Sequence, residues 1–198
     1  LAAARGLVAA AGHGDVRLLR GWLTGEAVPE GLAVDAELRW LVLRRLAALG
    51  DLTPAEIDAE YDRDRSAQGA EHAATCRSAR PDPDAKAAAW QIIVADRELS
   101  QRLLLATAAG FWQTGQEELT APYVARYFAE LPEVATWRTT NVMQELGIYA
   151  FPRYAVDEST LAAAREMLAR PGLDPTLRRA AADETDDLAR ALAARQLP

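Results

Sequence analysis

Apolar residues recur along most of the chain at the three- and four-residue spacing that places them on one face of a helix. The clearest segment is 35–49, in which leucine or valine occupies positions 38, 41, 42, 46 and 49. Charged residues fill most of the positions between them, as on the solvent-facing side of an amphipathic helix. No segment alternates apolar and polar residues for long enough to indicate a β-strand. The pattern therefore predicts an all-α protein.

Capping residues place the starts of several helices. Thr53 supplies a hydroxyl three residues before Glu56, with a proline in the first turn between them, which predicts a helix over 54–65. Asp82 and Asp174 are each followed by proline, a pair typical of a helix start because the aspartate accepts a backbone hydrogen bond and the proline needs none. The helix after Asp174 is expected to run to about residue 194, with polar residues interrupting its apolar stripe at positions 184 and 185.

Glycine, proline and neighbouring polar residues mark the breaks between helices. They divide the chain into about ten predicted helices, most of them roughly 10–20 residues long. The predicted breaks lie at 12–14, 25–31, 50–52, 80–83, 110–115, 151–157 and 171–174.

Helix pairs of this size, repeated roughly every 35–45 residues, resemble HEAT or armadillo units, which stack into an α-α superhelix of antiparallel helix pairs. The sequence has no strict internal period, so a plain multi-helix domain stays open as an alternative. No long Ser/Gly/Pro linker or low-complexity tail divides the chain. Residues 1–198 are therefore expected to form a single domain.

Composition and charge narrow the classes of function. Arginine occurs 21 times and lysine once, yet 29 acidic residues leave a net charge of −7. This balance disfavours binding to nucleic acid, whose phosphates attract positive charge. The longest apolar runs are far shorter than the ~20 residues that cross a bilayer, so no membrane association is predicted. One cysteine, Cys76, cannot form an internal disulfide, and the cytoplasm is the expected location.

Few residues in the chain offer catalytic chemistry. The zinc-peptidase motif His-Glu-x-x-His, in which two imidazoles hold the metal, is absent. His72 and Cys76 are four residues apart and could share a helix face as a metal or nucleophile pair. Glu71 is the sole candidate for a third group nearby, so a partly exposed pair without such a role is the favoured interpretation. Acidic clusters at 58–65 and 183–187 lack the glycine-turn spacing of a calcium loop and are expected to be solvated helix faces. The sequence predicts no catalytic residue and no metal site in this chain.

The segment 111–128 is the most informative part of the chain, and two interpretations of it remain open. Aromatic residues at helical spacing usually pack in a seam between two helices. Alternatively, Gln113, Gln116 or Arg126 projects from the segment toward a ligand. The apolar stripe at four-residue steps consists of Leu119, Tyr123, Tyr127 and Leu131.

The same segment carries a family resemblance. Its pattern, Phe-Trp-Gln-x-Gly-Gln-Glu-Glu-Leu-x-x-Pro-Tyr-x-x-Arg-Tyr-Phe, resembles the C-terminal helical domain of M1 zinc aminopeptidases of the actinobacterial aminopeptidase N type. Three further patterns resemble the same domain and follow in the family's order. They are Leu-Arg-Trp-x-x-Leu-Arg-Arg-Leu-x-x-Leu-Gly at 38–50, Glu-Ile-Asp-Ala-Glu at 56–60 and Leu-Arg-Arg at 177–179.

This resemblance implies a set of HEAT-like helix pairs that follows a catalytic zinc domain in a longer chain. In that family the helical domain closes a chamber above the active site, limits which peptides enter and contacts the distal part of the substrate. The zinc ligands and the catalytic glutamate belong to the other domain. The expected partners are therefore the catalytic domain of the same chain and peptide substrates, and the fragment that begins at Leu1 is expected to be inactive alone.

Arginine is the side chain best suited to hold a peptide carboxylate, because its guanidinium binds both oxygens. Arg126, Arg138 and Arg153 lie near the aromatic segments and are the candidate substrate-binding arginines, together with Gln113 and Gln116. No family motif assigns any of them a role. Arg126 is equally well placed to pair with the glutamate one helical turn later.

Two other classes of function are compatible with the same helices. The first is a free-standing HEAT-like scaffold that binds another protein. The second is a ligand-binding regulator domain that forms a symmetric dimer. A catalytic zinc motif upstream in the parent chain would favour the aminopeptidase reading over both.

Overall fold

The computed structural model describes residues 1–195. Within that range the chain forms eleven α-helices and one 3₁₀ turn, and it has no β-strand, which confirms the predicted all-α class. In chain order the elements are α1 (Ala2–Ala10), the 3₁₀ turn (His13–Asp15), α2 (Val16–Thr24), α3 (Ala36–Ala48), α4 (Pro54–Arg63), α5 (Ala67–Ala79), α6 (Pro83–Ala95), α7 (Gln101–Phe111), α8 (Glu117–Val134), α9 (Thr140–Tyr149), α10 (Glu158–Ala169) and α11 (Pro175–Arg195).

The predicted helix starts are confirmed by their capping hydrogen bonds. Before α4, the backbone amide of Glu56 donates to the Thr53 hydroxyl at 3.3 Å, and the Thr53 amide donates to the Glu56 carboxylate at 2.8 Å. The Asp82 carboxylate accepts from the third residue of α6 at 2.8 Å. The Asp174 carboxylate accepts two backbone amides at the start of α11, each at 2.9 Å. These aspartates therefore satisfy amides that lack a partner inside the helix.

Three breaks between helices were missed because they contain neither glycine nor proline. They lie at 64–66, 96–100 and 135–139, so the predicted helix over 54–65 ends at Arg63. Short polar side chains make two of these turns: Ser66 caps α5, and Asp96 accepts the amides of Glu98 and Leu99 at 2.9 Å each. Such side chains offer the backbone an alternative to helical hydrogen bonds.

The helices stack in two layers. Odd-numbered helices pack in succession, α1 against α3, α3 against α5, and so on to α11. In the second layer α6 packs against α8 and α8 against α10, and the even-numbered helices cover the odd layer. Each helix thus contacts its near neighbours in sequence, as in a solenoid of helix pairs. This order confirms the predicted HEAT-like superhelix.

Two hydrophobic cores lie between the layers. The N-terminal core takes its buried residues from positions 8–79, and the C-terminal core takes its buried residues from positions 89–188. They meet where α5 packs against α7, the most extensive helix pair of the fold. A Cβ on Gly110 of α7 would lie 2.3 Å from the Thr75 carbonyl oxygen of α5. Glycine is therefore what permits this close approach.

Two long buried side chains, and the short Thr75 hydroxyl that lies 3.0 Å from the Ala106 carbonyl oxygen, cross the boundary between the cores. The Lys86 ammonium donates to the carbonyl oxygens of Ser78 at 2.7 Å and Phe111 at 2.6 Å, near the ends of α5 and α7. The Gln116 amide donates to the carbonyl oxygens of Ala48 at 2.8 Å and Ala79 at 2.9 Å, near the ends of α3 and α5. Both side chains satisfy helix-terminal carbonyls that would otherwise lack partners.

The last helix packs more regularly than its sequence suggests. Leu177, Ala181, Thr185 and Leu188 are all buried and fall at i, i+4, i+8 and i+11 along α11. The hydroxyl of Thr185 donates to the Ala181 carbonyl oxygen at 2.6 Å, which removes the cost of burying it. The apparent interruption of the stripe is therefore a buried threonine that bonds its own helix.

Candidate functional site

The aromatic stripe of α8 is part of the C-terminal core. Tyr127 and Leu131 are fully buried, and Tyr123 is partly buried against the same core. The Tyr127 hydroxyl donates to the Gly147 carbonyl oxygen at 2.7 Å, and burial raises the pKa of this phenol above its usual range. The interpretation of the stripe as a packing seam is confirmed.

The two candidate glutamines point to different surroundings. Gln116 is buried, and its amide nitrogen makes the two hydrogen bonds to α3 and α5 described above. Gln113 is partly exposed, and its amide nitrogen donates to the Gly110 carbonyl oxygen at 2.9 Å. Its side chain also lines a surface groove described below. Gln113 is therefore the better placed of the two to meet a ligand.

Arg126 pairs with Glu130, the glutamate one helical turn later. Its guanidinium lies 2.6 Å from the Glu130 carboxylate one turn on, and 5.3 Å from the ring centre of Tyr123. Burial opposes ionisation of Glu130, but hydrogen bonds from Arg126 and from the Trp90 indole outweigh it and lower the pKa of the carboxyl. A substrate carboxylate would have to compete with Glu130 for this guanidinium.

The other two candidate arginines occupy separate loops. Arg138 stacks over the Trp137 ring, with 4.6 Å between guanidinium and ring centre, and donates to the Asp96 carbonyl oxygen. Burial lowers the pKa of Arg138. Arg153 donates to the Ile148 carbonyl oxygen at 2.9 Å. A role in substrate binding stays a prediction for these residues, as for Arg126 and the two glutamines.

Three cavities adjoin one another through shared lining residues, and together we call them the long groove. The first, of about 260 Å³, lies over α1, α3 and α5. The second, of about 350 Å³, shares Leu41 and Arg44 with the first and extends to Gln113 and Tyr154. The third, of about 490 Å³, shares Tyr154 and is lined by the first turns of α8 and α10. The groove therefore spans both halves of the fold.

The two ends of the long groove differ in charge. Arg5, Arg44 and Arg45 line the end formed by α1 and α3, with Glu37 as the sole acidic neighbour there. Arg44 is exposed and forms no hydrogen bond or ion pair with the rest of residues 1–195. At the other end, the acidic lining residues are Glu117, Glu118 and Asp157, beside Arg195. An anionic group is therefore favoured at the first end and disfavoured at the second.

A stacked pair forms the floor of the basic end. The Trp40 indole donates to the Asp64 carboxylate at 2.8 Å, which fixes the ring, and the His72 ring stacks on it with 5.6 Å between ring centres. Hydrogen bonds from Ser66 and Trp40 lower the pKa of Asp64. The Nε2 atom of His72 is buried without a hydrogen-bond partner, 3.7 Å from a Glu37 oxygen. The floor thus combines a flat ring surface with an unused imidazole nitrogen.

The long groove offers shape and charge but few side chains for covalent chemistry. Within residues 1–195, no group of three His, Cys, Asp or Glu side chains is arranged to hold a metal ion. Cys76 is buried in the N-terminal core, and burial raises its pKa to about 12, so the thiolate is disfavoured. No described helix is both long and apolar enough to cross a membrane.

Most residues of the long groove were missed at the level of sequence. Arg44 was assigned to the solvent face of the predicted helix over 35–49, and Tyr154 to a break between helices. His72 was considered with Cys76 as a metal or nucleophile pair, whereas it stacks on Trp40 in the groove. A signal was present in the pattern, because Arg44 follows Leu41 by three residues and shares its side of the helix.

Comparison with known proteins agrees with the resemblance drawn from the motifs. The sequence model of the ERAP1-like C-terminal domain family matches residues 2–190. An aminopeptidase N from Streptomyces lividans is 42% identical over 177 residues, which is 89% of this chain. The chain spans 21% of the length of that relative. The chain therefore belongs to the ERAP1-like C-terminal domain family and is a C-terminal domain of the aminopeptidase N type.

Proposed function

We propose that this chain caps the peptide chamber of an M1 zinc aminopeptidase and selects substrates by holding the part of the peptide distant from the scissile bond. The observation that carries the proposal is the long groove, basic at one end and acidic at the other. The similarity to an aminopeptidase N supports it. The catalytic zinc and its ligands would lie in another domain of the parent chain, which is the partner of this one. We further propose that the parent enzyme is cytoplasmic.

Arg44 is the residue that we expect to hold the carboxyl terminus of a peptide. It is exposed in the groove and makes no hydrogen bond or ion pair with the rest of residues 1–195, so its five donors are available to both oxygens of a carboxylate. Arg5 lines the same cavity and adds positive charge. Tyr154, 37% exposed where the second and third cavities join, would contact the peptide's middle. This chain then binds and orients the substrate and performs no chemical step itself.

The test is peptide hydrolysis by the parent enzyme carrying Arg44→Ala. For peptides with a free carboxyl terminus, KM is expected to rise about tenfold with kcat nearly unchanged, because one charge-assisted contact is lost. The same peptides with an amidated C-terminus should show a much smaller difference between the variant and the unaltered enzyme. An aminoacyl-naphthylamide, which has no distal part, should be hydrolysed at the unaltered rate.

A matched control is Arg165→Ala, which removes an exposed arginine of α10 outside the long groove. It should leave all three substrate classes unaffected. Equal effects of the two substitutions, or an Arg44→Ala effect that persists on amidated peptides, would contradict the proposal that Arg44 holds the carboxylate.

A further inference from the structure

A second groove lies on the even layer, between α4 and α6. Along that layer α6 packs against α8 and α8 against α10, whereas α4 and α6 make no comparable contact. The gap between them leaves the underlying faces of α5 and α7 accessible and forms a cavity of about 490 Å³. That volume lies within the roughly 300–1,000 Å³ of small-molecule sites. We call it the apolar groove.

The walls and floor of the apolar groove are regular helical stripes. Small residues of α6 at positions 85, 88 and 89, followed by Ile92, form one wall, and Pro54 and Tyr61 of α4 form the other. Positions 70, 74 and 78 of α5, with Leu103 and Thr107 of α7, form the floor. The stripe from 70 to 78 extends about 12 Å at the rise of an α-helix. The groove is thus a channel of defined length.

The two hydroxyls on the floor of the apolar groove already donate hydrogen bonds to backbone carbonyl oxygens. The Ser78 hydroxyl donates to the Thr75 carbonyl oxygen at 3.1 Å, and the Thr107 hydroxyl donates to the Leu103 carbonyl oxygen at 2.8 Å. The backbone groups of the surrounding helices are paired within those helices. An extended peptide would bury its own amides and carbonyls there without partners, at a cost of about 1–3 kcal/mol each. An alkyl chain carries no such groups.

Charge is confined to one end of the apolar groove and is entirely positive. Among residues 1–195, Arg77 and Arg80 are the two charged residues that line this groove and no acidic side chain lines it, although the chain as a whole carries a net charge of −7. Both arginines lie near the C-terminal end of α5, beside the short turn that leads into α6. The far end, at Ile92, Leu99 and Leu103, is apolar.

Of the two arginines, Arg80 has the more available guanidinium. Arg77 lies 2.7 Å from the Asp58 carboxylate, a hydrogen-bonded pair. Arg80 comes no closer than 3.6 Å to the Asp82 carboxylate and makes no hydrogen bond within residues 1–195. Its side chain is only 22% exposed, so its donors lie near the groove with their hydrogen-bonding capacity unused.

We propose that the apolar groove binds an aliphatic carboxylate of medium chain length, with the carboxylate on Arg80 and the chain directed toward Ile92, Leu99 and Leu103. The Arg80 guanidinium meets the anionic head. The alkyl chain covers the alanine stripes of α5 and α6, which gives the apolar surface a partner. This site is separate from the long groove, and its occupation does not depend on the function proposed above.

The test is calorimetric titration of the full protein that contains this chain with decanoate and with 1-decanol, which has the same chain without the charge. Decanoate is expected to bind with one-to-one saturation, and 1-decanol at least about tenfold more weakly. Arg80→Ala should weaken decanoate about tenfold and leave 1-decanol unchanged. Arg102→Ala, which removes an exposed arginine of α7 outside this groove, is the charge control and should leave both affinities unchanged.

Two leucine substitutions test whether the alkyl chain of decanoate lies in the apolar groove. Ala88→Leu places a larger side chain in the groove from an exposed position of α6 and should reduce decanoate binding at least about tenfold. Ala87→Leu changes the neighbouring exposed position, which does not line the groove, and should bind like the unaltered protein. Circular dichroism should show the same helix content for both variants.

Three results would overturn the proposal. The absence of saturable decanoate binding would mean that the groove takes no such ligand, for example because another part of the parent protein covers it. Equal decanoate affinity of the Ala87→Leu and Ala88→Leu variants would mean that the alkyl chain binds outside the apolar groove. Equal affinity for decanoate and 1-decanol, with no effect of Arg80→Ala, would show that the carboxylate does not contribute to binding.

Discussion

The two cores of this superhelix are stabilised by different interactions. In the C-terminal core, aromatic rings from successive helices contact one another in two clusters. The Trp90 ring lies 5.2 Å from Phe111 and 5.3 Å from Tyr123, and the Tyr127 ring lies 5.4 Å from Phe151, between ring centres. Such pairs contribute about 0.5–1.5 kcal/mol each beyond the area that they bury.

In the N-terminal half, arginines join helices by pairing with carboxylates. Arg39 of α3 binds both oxygens of Glu60 on α4, each at 2.7 Å. Arg20 of α2 bonds to Asp51 at 2.5 Å and to Glu56 at 2.8 Å. The N-terminal core is otherwise largely aliphatic. The first half of the fold therefore depends on ionisation state, whereas the second depends on the packing of large rings.

The largest expected effect is in the C-terminal core. Trp90→Ala removes a fully buried indole that contacts three other aromatic rings. It should lower the free energy of unfolding by about 4 kcal/mol, because both the buried area and the packing contacts are lost. Urea denaturation followed by circular dichroism measures this change. A loss below about 1 kcal/mol would mean that the aromatic cluster is not what stabilises this half.

A somewhat smaller effect is expected at the boundary between the cores. Gly110→Ala would place a Cβ 2.2 Å from the Ser78 hydroxyl oxygen and 2.3 Å from the Thr75 carbonyl oxygen. The backbones of α5 and α7 must then separate, and the free energy of unfolding should fall by about 3 kcal/mol. Gly6→Ala is the control, since a Cβ there meets nothing within 4 Å. Thermal unfolding of both variants measures the difference, and an equal stability of Gly110→Ala and Gly6→Ala would contradict the prediction.

Among substitutions that remove a charge, the largest loss of stability is expected in the N-terminal half. Arg39→Met removes a guanidinium that binds both Glu60 oxygens and also donates to the Leu23 carbonyl oxygen at 2.9 Å. The Arg39 and Glu60 side chains are 15% and 9% exposed, and Arg63, at 3.9 Å, is then the one remaining ion-pair partner of Glu60 within residues 1–195. The weakly paired carboxylate is costly, and the free energy of unfolding should fall by about 2 kcal/mol. The double variant Arg39→Met with Glu60→Met should recover part of this loss. No recovery would argue that packing, and not the pair, was lost.

The smallest expected effect is a pH dependence at Glu56. Hydrogen bonds from Arg20 and from the Thr53 amide lower the pKa of Glu56 from 4.5 to about 2. The folded state then binds fewer protons than the unfolded chain in this range, so the stabilisation is fully present above about pH 4.5 and is lost as the pH falls toward 2. Glu56→Gln should cost no more than about 1 kcal/mol at pH 7, because the pair is partly exposed.

Acid titration of stability separates this pair from the rest of the fold. The difference between the unaltered protein and Glu56→Gln should shrink as the pH falls from 4.5 toward 2. A difference that stays constant over this range would show that the Glu56 carboxylate acts through packing and not through its charge.

Much of the fold could be predicted because local sequence and tertiary structure agree. The starts of α4, α6 and α11 were placed from Thr53, Asp82 and Asp174, whose side chains accept the backbone amides that the pattern requires. At the missed turn, 64–66, the local sequence does not show where the helix ends. Ser66 is a strong cap, but it follows a helical pattern so closely that only the packing of α4 and α5 shows where one ends.

The grooves were less predictable, because they are made by residues far apart in sequence. Arg5, Arg44 and His72 come from three helices and meet only in the stacked odd layer. Gln116 shows the opposite case, a residue that the sequence marks as a possible ligand contact but that lies in the interior. Its side-chain amide donates to carbonyl oxygens of α3 and α5. Sequence spacing indicates the face of one helix; which faces form a shared surface depends on how the layers stack.

The Lys86 and Gln116 side chains, which bridge the cores, limit where this chain could gain or lose helix pairs. A helix pair in a solenoid can usually be duplicated or deleted, because its contacts are confined to adjacent pairs. Removing the N-terminal half would leave the Lys86 ammonium without the Ser78 carbonyl and Gln116 without both of its acceptors. The reverse deletion would strand the carbonyl oxygens of Ala48 and Ala79. Added or deleted helix pairs are therefore expected to be tolerated at the two ends of the array and not within the stretch from α3 to α8.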